Sequence, residues 1–552
     1  MKNSRLRPKR TIALLAAASV LIGISGCSVN MSGGNTSASG GSNSLLLAAD
    51  NGSPTFTRNF NPFSSSARTG VHYMYEPLEV VNTIDGKATP FLATQEQLIS
   101  PTTIAYTIRE GVKWSDGQPF TASDVVFTFN LIKKYPELDS LGQWQNIDSV
   151  ESSGNTVTFH LKVPNVPAAE IIDQQIIVPE HIWKKVASPT TWTNPDPVVT
   201  GPYTLGQFTP NQYTLNKNTE YWQANKVAAD KLILPAANSQ LAIVKNRYDW
   251  AYAFIEDVNK TWVGANKEHN IYWFPPGGTV ALLPNLTKAP FNNLDFRKGL
   301  SYALDRNTIA NDAEEGYVKS AGQTGLLLPN QSSWLNTAIP NDGKVDQNTT
   351  LALKYFADAG YSSVNGKLVD SNGHQLQLTI TTPNGYTDWL RGVQEVQSQL
   401  ESVGISVSLN QPEPPAYTQA LDNGDFELIM SAFGGTGSLY QDYNNLLNSQ
   451  FATPVGTSTS ANFQRYSNPE TDALLQQFKV ASTTSEQRQI VNELQKVVFN
   501  EIPVVSLFYG GLWGLFSTKN FTGWPSASDP YAPPSTWTDT ALLVLTHLKR
   551  AS

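Results

Sequence analysis

Arg109–Phe127 reads REGVKWSDGQPFTASDVVF, a run in which a tight turn is followed at once by the start of a helix. Asp116-Gly117 is typical of a turn, because glycine reaches the backbone angles that many turns require. Thr121 is a residue type that caps helices, and Asp124 stands in the first turn, where a negative charge is favoured. The run therefore predicts a turn and then a helix that continues to Lys134.

Strands are predicted on both sides of this helix. Thr103–Arg109 and Thr156–Leu161 each alternate apolar and polar residues, which is the pattern of a strand with one buried face. A buried face needs large apolar partners. We therefore expect Trp114, Phe120 and Phe127 to pack inside this region rather than to contact a ligand.

Further short motifs accompany this run, in order along the chain: Asn61–Phe63, Tyr75–Leu78, Pro90–Ala93, Thr200–Leu205, Asn218–Trp222, Pro290–Asn293 and Phe296–Arg306. Together with Arg109–Phe127 they resemble the signature of extracellular solute-binding proteins of family 5, the large peptide- and nickel-type receptors of ABC importers. The resemblance extends over nearly all of residues 50–510. It is specific evidence for the fold and the role of the protein, but it gives little information about the identity of the ligand.

The resemblance implies an α/β fold like that of periplasmic binding proteins of type II (cluster C). Two lobes face each other across a hinged cleft, and a third subdomain is inserted in the first lobe. The expected division is a first lobe at 45–85, 200–285 and 506–552, an inserted subdomain at 86–199, and a second lobe at 286–505. The hinge crossings are expected near 283–285 and 504–507, and one amphipathic helix is predicted over Phe296–Asn311.

The N-terminus has the pattern of an export signal. Basic residues and no acidic ones precede a short apolar stretch, at Lys2, Arg5, Arg7, Lys9 and Arg10. Ile24–Cys27 resembles the lipobox of bacterial lipoproteins, in which the chain is cut before the cysteine and the thiol is acylated. This predicts a signal peptide at 1–26 and a lipidated Cys27; the alternative is an ordinary signal with a stray thiol. Residues 27–44, rich in Ser, Gly and Asn, are predicted to form a flexible tether.

The net charge of the chain excludes a class of partners. The formal charge is −8, and removal of residues 1–26 takes away five positive charges and no negative one, which leaves −13. Nucleic-acid-binding proteins carry basic patches, so nucleic acid is not expected as a partner.

The resemblance to the family and the lipobox together imply the other partners. We expect a monomer held by lipid at the outer face of the cell membrane, which hands its ligand to an ABC permease complex.

Two stretches are candidates for the ligand site by analogy with the family. The first is Asp249–Phe254, in which Tyr252 is expected to edge the cleft, and Trp250 belongs either to the cleft or to the core. The second is Tyr272–Gly278, from which Trp273 is expected to reach the cleft. Aromatic side chains suit a binding cleft, because they bury a large area at a small entropic cost.

A third stretch, Phe433–Asn444, carries the candidate charge anchor. In the oligopeptide receptors of the family, an aspartate in the matching stretch pairs with the α-amine of the peptide, and Asp442 is the candidate here. Phe433 and Tyr440 are aromatic candidates in the same stretch. Two departures stand out: Phe433 occupies a position where tryptophan is usual, and the glycine-rich spacer is longer. The alternative is that Asp442 is a loop-surface aspartate.

These departures leave two ligand classes open. The first is an oligopeptide. The second is a β-linked oligosaccharide of the cello- or xylo-oligosaccharide type, because some members of the family that resemble this chain bind such sugars and carry a Thr-Gly-Leu run like Thr324–Leu326. A sugar would use aromatic platforms and neutral amides and would need no charge anchor. Nickel chelates and other solutes are a further alternative.

Motifs for catalysis are absent from the sequence. The six histidines are far apart, and the chain has neither a His-Glu-x-x-His helix nor a Gly-x-Ser-x-Gly elbow. Paired carboxylates for glycoside hydrolysis are not excluded, because 46 acidic residues permit many pairs. A secreted hydrolase is therefore the distant alternative to a receptor, and we expect no catalytic residues, no metal and no cofactor.

Overall fold

A computed structural model of the chain describes residues 43–50, 55–236 and 240–552. The predicted signal peptide, Cys27 and the tether up to residue 42 lie outside these described residues. Asn43–Ser552 forms one compact unit. The first strand begins at Ser44, one residue before the predicted start of ordered sequence.

The strands are short and are distributed along the whole described chain. They are β1 Ser44–Ala48, β2 Glu79–Val81, β3 Ala88–Pro90, β4 Ala93–Ser100, β5 Thr103–Ile108, β6 Ile147–Ser153, β7 Thr156–Leu161, β8 Tyr203–Thr209, β9 Gln212–Lys217, β10 Lys231–Pro235, β11 Trp250–Tyr252, β12 Asn270–Trp273, β13 Pro276–Pro284, β14 Ser362–Val364, β15 Lys367–Val369, β16 Gln377–Thr381, β17 Ser406–Asn410, β18 Leu428–Phe433, β19 Val505–Gly511, β20 Gly514–Ser517, β21 Phe521–Thr522 and β22 Lys549–Arg550.

Helices alternate with these strands. They are α1 Val71–Met74, α2 Ala122–Lys134, α3 Gln143–Asn146, α4 Ala168–Ile172, α5 Glu180–Trp183, α6 Gln240–Asn246, α7 Leu294–Ala303, α8 Arg306–Glu314, α9 Thr349–Asp358, α10 Thr387–Ser402, α11 Pro414–Asn423, α12 Leu439–Leu447, α13 Pro469–Val480, α14 Thr484–Glu501 and α15 Ala541–His547. The mixture of sheets and helices matches the predicted α/β class.

The largest sheet, called sheet A here, has seven strands in the order β12–β20–β11–β1–β10–β9–β8. Strand β1 lies at its centre and runs parallel to both neighbours, β10 and β11. Leu45 and Leu47 of β1 are fully buried, so burial of apolar side chains holds this central strand in register. Sheet A joins the N-terminal residues to strands from the middle and the end of the chain.

A second sheet, called sheet B, has five strands in the order β17–β16–β18–β13–β19. Strand β16 is parallel to β17 and β18, whereas β13 is antiparallel to β18 and β19. A third sheet, called sheet C, is antiparallel and has four strands in the order β4–β5–β7–β6. In β5 and β7 every second residue is buried, which confirms the alternation predicted for them.

The run Arg109–Phe127 is a structural element of the part that contains sheet C. Gly117 has φ +88°, as the turn requires, and Thr121 caps α2 in a reciprocal hydrogen-bonded arrangement with Asp124. Trp114 is fully buried and meets the edge of Phe120, with ring centroids 6.0 Å apart. The predicted turn, helix and packing role are therefore confirmed for these residues.

Two short connections join sheet A to sheet B. Strand β12 of sheet A leads through Phe274 and Pro275 into β13 of sheet B, and β19 of sheet B leads through Leu512 and Trp513 into β20 of sheet A. The sequence predicted these crossings near 283–285 and 504–507, which are the other ends of β13 and β19. Both strands are apolar runs, and such a pattern does not show which sheet a strand joins. The lobe boundaries stay a prediction.

The helix predicted over Phe296–Asn311 is wrong, because the structure has two helices there. Leu304 is extended, with φ −104° and ψ 127°, so α7 ends before it. The Asp305 side chain accepts hydrogen bonds from the backbone N–H groups of Asn307 and Thr308, which starts α8. The N-capping aspartate is visible in the sequence, but the amphipathic pattern on both sides of it conceals the break.

Candidate ligand-binding cleft

A glycine-rich loop follows β18 and leads into α12. Gly434, Gly435 and Gly437 all have positive φ, between +73° and +86°, which other residues rarely adopt. The Asp442 carboxylate holds this loop: it accepts hydrogen bonds from the Thr436 backbone N–H (3.1 Å) and from Thr436 Oγ1 (2.7 Å). The positive φ values and this carboxylate together fix the path of the loop.

Asp442 is buried and has no free carboxylate oxygen in this conformation. Its second oxygen accepts a hydrogen bond from Gln331 Nε2 at 3.0 Å, and the residue is 3% exposed. Burial raises the pKa of this carboxyl group, although the hydrogen bonds from Thr436 oppose the shift. Asp442 therefore positions the loop beside the cleft, and its role as the anchor for a peptide amine stays a prediction.

The first cavity of the cleft lies next to this loop. It has a volume of about 350 Å³, and its wall includes Thr83, Glu96, Glu170, Trp334 and Tyr440. The Tyr440 ring meets the edge of Phe478, with centroids 5.6 Å apart, so the ring is fixed in place. Tyr440 therefore lines this cavity, and its contact with a ligand stays a prediction.

Opposite sides of the cleft contact each other beside this cavity. Ser438, which caps α12, donates a hydrogen bond from Oγ to the Glu170 carboxylate of α4. The Val166 backbone N–H donates to the Lys479 carbonyl at 2.7 Å. Burial raises the pKa of Glu170 to about 7, and the nearby charge of Asp442 adds to the shift. These bonds join the part that carries sheet C to the part that carries sheet B.

A second cavity adjoins the first at Thr83, which lines both. Its volume is about 410 Å³, and its wall includes His72, Glu79, Gln174 and Trp537. Trp537 is 39% exposed, which is unusual for so large an aromatic side chain. Thr83 and the two cavity walls together outline a groove with polar groups and one open aromatic face.

Tyr252 supports this exposed tryptophan. The Tyr252 ring stands perpendicular to the Trp537 ring, at 89° and with centroids 4.1 Å apart. Edge-to-face contacts of this kind stabilise a fixed ring orientation. Tyr252 is half-buried at the end of β11, so it acts in the cleft by holding Trp537. Its direct contact with a ligand stays a prediction.

The other predicted aromatic residues have different positions. Trp250 is fully buried, donates its indole N–H to the Pro534 carbonyl at 3.1 Å and packs against Trp524. It is a core residue, and its assignment to the cleft is wrong. Trp273, at the end of β12, is half-buried against the core that includes sheet A. Phe433, the last residue of β18, is half-buried against the α12–α14 core, and neither lines the two cavities.

Trp537 was missed by the sequence analysis. It follows Pro533, Pro534, Ser535 and Thr536 in a segment without apolar periodicity, where no burial partner is predicted. A tryptophan in such a segment is the sequence feature that could have identified it. The carboxylates Glu79, Glu96 and Asp173 were missed for another reason, since three distant segments bring them together.

A buried glutamate lies close to Tyr252. Glu314, the last residue of α8, is 1% exposed, and among the described residues its Oε2 atom has no hydrogen-bond partner. Burial raises its pKa to about 9, the Asp388 charge adds to the shift, and the Arg391 charge opposes it. At neutral pH this carboxyl group is therefore protonated in the folded protein.

Replacing Glu314 with glutamine should change the pH dependence of stability. The folded state binds this proton more tightly than the unfolded state, whose pKa is near 4.5, so the free energy of unfolding falls as the pH rises from 4.5 towards 9. Glu314→Gln removes that loss, and we expect the variant to gain about 1–4 kcal/mol over the wild type between pH 4 and pH 8. Urea unfolding at both pH values measures it.

The exposed Glu268→Gln variant is the control, since this side chain is 83% exposed. It should follow the wild-type curve at both pH values. Parallel pH dependence of the wild type and Glu314→Gln would contradict the assignment of a raised pKa to Glu314.

Comparisons with known proteins bear on what this cleft is for. The sequence model of the bacterial extracellular solute-binding proteins, family 5, middle part, matches residues 87–455, more than half of the chain. The chain belongs to that family. This family 5 protein is 23% identical to the oligopeptide-binding protein OppA of Bacillus subtilis over 439 residues, which cover 74% of this chain and 77% of that one. It is 25% identical to the peptidoglycan-binding protein YepA of Agrobacterium fabrum over 470 residues, which cover 74% and 75%.

Solved structures of similar proteins confirm the fold. A periplasmic oligopeptide-binding protein of an oligopeptide ABC transporter from Thermotoga maritima has a TM-score of 0.84 and 26% identity, and the match covers 92% of this chain and 99% of that one. Its structure with bound mannohexaose has a TM-score of 0.76 over 92% and 98%. The periplasmic-binding-protein fold predicted from the sequence is therefore confirmed, and the family consists of solute-binding proteins rather than enzymes. Among the described residues, no helix has the length and apolarity to cross a membrane.

Proposed function

We propose that this protein is the substrate-binding lipoprotein of an ABC importer, which captures oligopeptides in the cleft and delivers them to a membrane permease. The observation that carries the proposal is the pair of adjoining cavities at the contact between opposite sides of the cleft. The groove accommodates an extended ligand, and its polar walls suit the amide groups of a peptide backbone. The similarity to oligopeptide-binding proteins of Bacillus subtilis supports the peptide class.

Capture requires that the closed cleft bind the ligand more tightly than the open cleft. Only this difference in affinity shifts the population towards the closed state. The two connections, Phe274–Pro275 and Leu512–Trp513, are the hinge in this proposal, because they join sheet A to sheet B. Closure adds the Ser438–Glu170 hydrogen bond. The protein uses no cofactor and leaves its ligand chemically unchanged.

The membrane anchor belongs to the same proposal. Signal cleavage before Cys27 and acylation of its thiol would leave residues 27–44 as a tether between the lipid and the first strand. The mature protein would then be a monomer at the outer face of the membrane. Labelling cells with a radioactive fatty acid tests this: the wild type should incorporate label, and Cys27→Ser should not. Equal labelling of both proteins would contradict it.

Calorimetric titration tests the ligand class. Peptides of two to five residues should bind with 1:1 stoichiometry, and chromatography after the titration should recover them intact. Cello- and xylo-oligosaccharides of matched length form the other arm. Binding of a sugar with no binding of any peptide would overturn the oligopeptide assignment. Recovery of cleaved ligand would point to a hydrolase instead.

A second candidate is the same receptor role with an oligosaccharide ligand, and two observations favour it. The open face of Trp537 lies among His72, Gln174 and Asp539, a set of aromatic and polar groups that suits a sugar ring. Both carboxylate oxygens of Asp442 already accept hydrogen bonds from Gln331 and Thr436, so neither is available as an anchor for a peptide amine. A sugar needs no such anchor. The Thermotoga maritima protein with bound mannohexaose has the same fold.

Truncating Trp537 should show whether it is a sugar platform. We expect Trp537→Ala to weaken binding of a cello- or xylo-oligosaccharide by about fivefold or more, because a stacked aromatic face contributes about 1 kcal/mol or more. Trp537→Phe keeps an aromatic face and should retain most of the affinity. Titration calorimetry of the two variants against the wild type measures the effect. Equal sugar affinity of Trp537→Ala and wild type would contradict the platform role.

A further inference from the structure

Three carboxylates from distant segments meet where the two cavities adjoin. Glu79 begins β2, Glu96 lies on β4, and Asp173 follows α4. One carboxylate oxygen from each lies within 4.8 Å of the other two. Glu96 lines the first cavity and Glu79 lines the second, and Thr83 borders both. We call these three residues the junction cluster; Glu79 and Glu96 line the groove that the ligand is proposed to fill, and the buried Asp173 carboxylate lies next to them.

Among the described residues, no basic side chain forms an ion pair with the junction cluster. Asp173 accepts a hydrogen bond from Tyr106 Oη at 2.8 Å. Glu79 is 5% exposed, and no described residue donates a hydrogen bond to its carboxylate or forms an ion pair with it. A buried carboxylate without a partner is costly, so a polar side chain of this kind that lines a cavity favours a cationic ligand. The unpaired Glu79 carboxylate therefore favours a cationic ligand independently of the grouping of the three carboxylates.

The ion-forming side chains of both cavity walls are mainly acidic. Neither wall, as the structure describes it, contains a lysine or an arginine. His72, the one histidine there, is already paired with Asp539, 2.7 Å from it. Burial raises the pKa of Glu79 to about 7, and the Glu96 charge adds to that shift. The groove would repel an anionic ligand and would be stabilised by a cationic one.

We propose that the junction cluster binds a primary ammonium group of the ligand, so that this receptor selects peptides with a lysine side chain or a free amino terminus at that point. An ammonium group has three N–H donors, and the cluster offers one carboxylate oxygen from each of three residues within 4.8 Å of one another. Charge-assisted hydrogen bonds of this type are strong in a site that excludes water. The inference rests on the proposed oligopeptide function and adds the chemical class of the peptide.

Four pentapeptides test the proposal. They combine Ala-Ala-Lys-Ala-Ala or its norleucine counterpart with a free or an acetylated amino terminus, so length and apolar surface are matched. We expect the peptides with at least one ammonium group to bind the wild-type protein at least about tenfold more tightly than the acetylated norleucine peptide. Titration calorimetry in buffer with EDTA gives the four dissociation constants.

Glu96→Gln tests whether the junction cluster causes this preference. The substitution keeps the shape of a half-buried strand residue and removes its charge, and it should reduce the preference to about threefold or less. Glu79→Gln is the second variant and should act in the same direction. The control is Glu137→Gln, an exposed glutamate in the short turn after α2, which should keep the wild-type preference.

Each other outcome has a definite meaning. Equal affinity of the wild type for all four peptides overturns the ammonium site and leaves the oligopeptide function intact. A preference that persists in both Glu96→Gln and Glu79→Gln also overturns it. If CaCl₂ alone raises the melting temperature of the wild type but not of Glu96→Gln, and no peptide preference is found in EDTA, the cluster is a metal site and the proposal is wrong. Failure of every peptide to bind overturns the oligopeptide function and this inference together.

Discussion

Replacing Arg306 with methionine should lower the free energy of unfolding by about 3–5 kcal/mol, because several buried carbonyl groups would lose their donor. The Arg306 guanidinium is buried and donates from Nε to the Ser506 carbonyl at 2.7 Å and from Nη1 to the carbonyls of Ser301 (2.9 Å) and Val345 (3.0 Å). Its Nη2 donates to Ser301 Oγ at 2.8 Å. One side chain thus joins α7, α8, a loop and β19 of sheet B.

Burial lowers the pKa of Arg306 to about 10, so the guanidinium remains charged at neutral pH, and each of its three nitrogens donates at least one hydrogen bond. Methionine fills a similar volume and cannot donate, and urea unfolding at pH 7 measures the loss. Arg58→Met is the control: Arg58 is 43% exposed in its pair with Asp196, and such pairs contribute less than about 1 kcal/mol. A loss for Arg306→Met no larger than that of the control would contradict this account of the motif Phe296–Arg306.

Replacing Gly437 with valine should weaken ligand binding by about tenfold to a hundredfold, because a side chain there prevents the two sides of the cleft from meeting. A Cβ atom on Gly437 would lie 3.1 Å from the Cα of Thr83, and a Cβ on Gly86 would lie 2.7 Å from the Gly437 carbonyl oxygen. The glycine-rich loop and the hairpin at Thr83–Gly86 therefore pack backbone against backbone. The branched carbons of valine would extend this overlap.

Gly456→Val separates this effect from backbone strain. Gly456 has φ +90° and Gly437 has φ +86°, so valine is strained to a similar degree at both positions, but no atom lies within 4 Å of a Cβ on Gly456. Titration with the tightest-binding peptide of the panel should show reduced affinity for Gly437→Val alone. Small-angle scattering should show that its compaction on adding the peptide is reduced. Equal affinity of the two variants would contradict a closure role for the loop.

Local signals in the sequence predicted the elements that depend on neighbouring residues. The capping arrangement of Thr121 and Asp124 fixes the start of α2, and alternation along β5 and β7 fixes their buried face. The family motifs gave the fold class because residues such as Trp114 and Arg306 hold separate segments together. These features are encoded within a few residues or by a motif, so they can be predicted without a structure.

The cleft depends on contacts between distant segments, and there the sequence predicted less. Trp250 and Tyr252 are two residues apart on β11, yet one is a core residue and the other supports Trp537 from the C-terminal segment. Their short strand has no pattern that distinguishes the two roles. The sequence left Asp442 as a charge anchor or a loop-surface aspartate, and only the structure shows that it is buried and that Thr436 and Gln331 donate hydrogen bonds to its two oxygens.

The groove between the two sides of the cleft is proposed to hold one ligand molecule and to leave it unchanged. Native mass spectrometry of the purified protein with an equimolar mixture of pentapeptides tests this. We expect a complex with the mass of the protein plus one intact pentapeptide, and release of that same peptide on denaturation. A protein that remains free in the mixture, or peptide fragments in the released fraction, would contradict it.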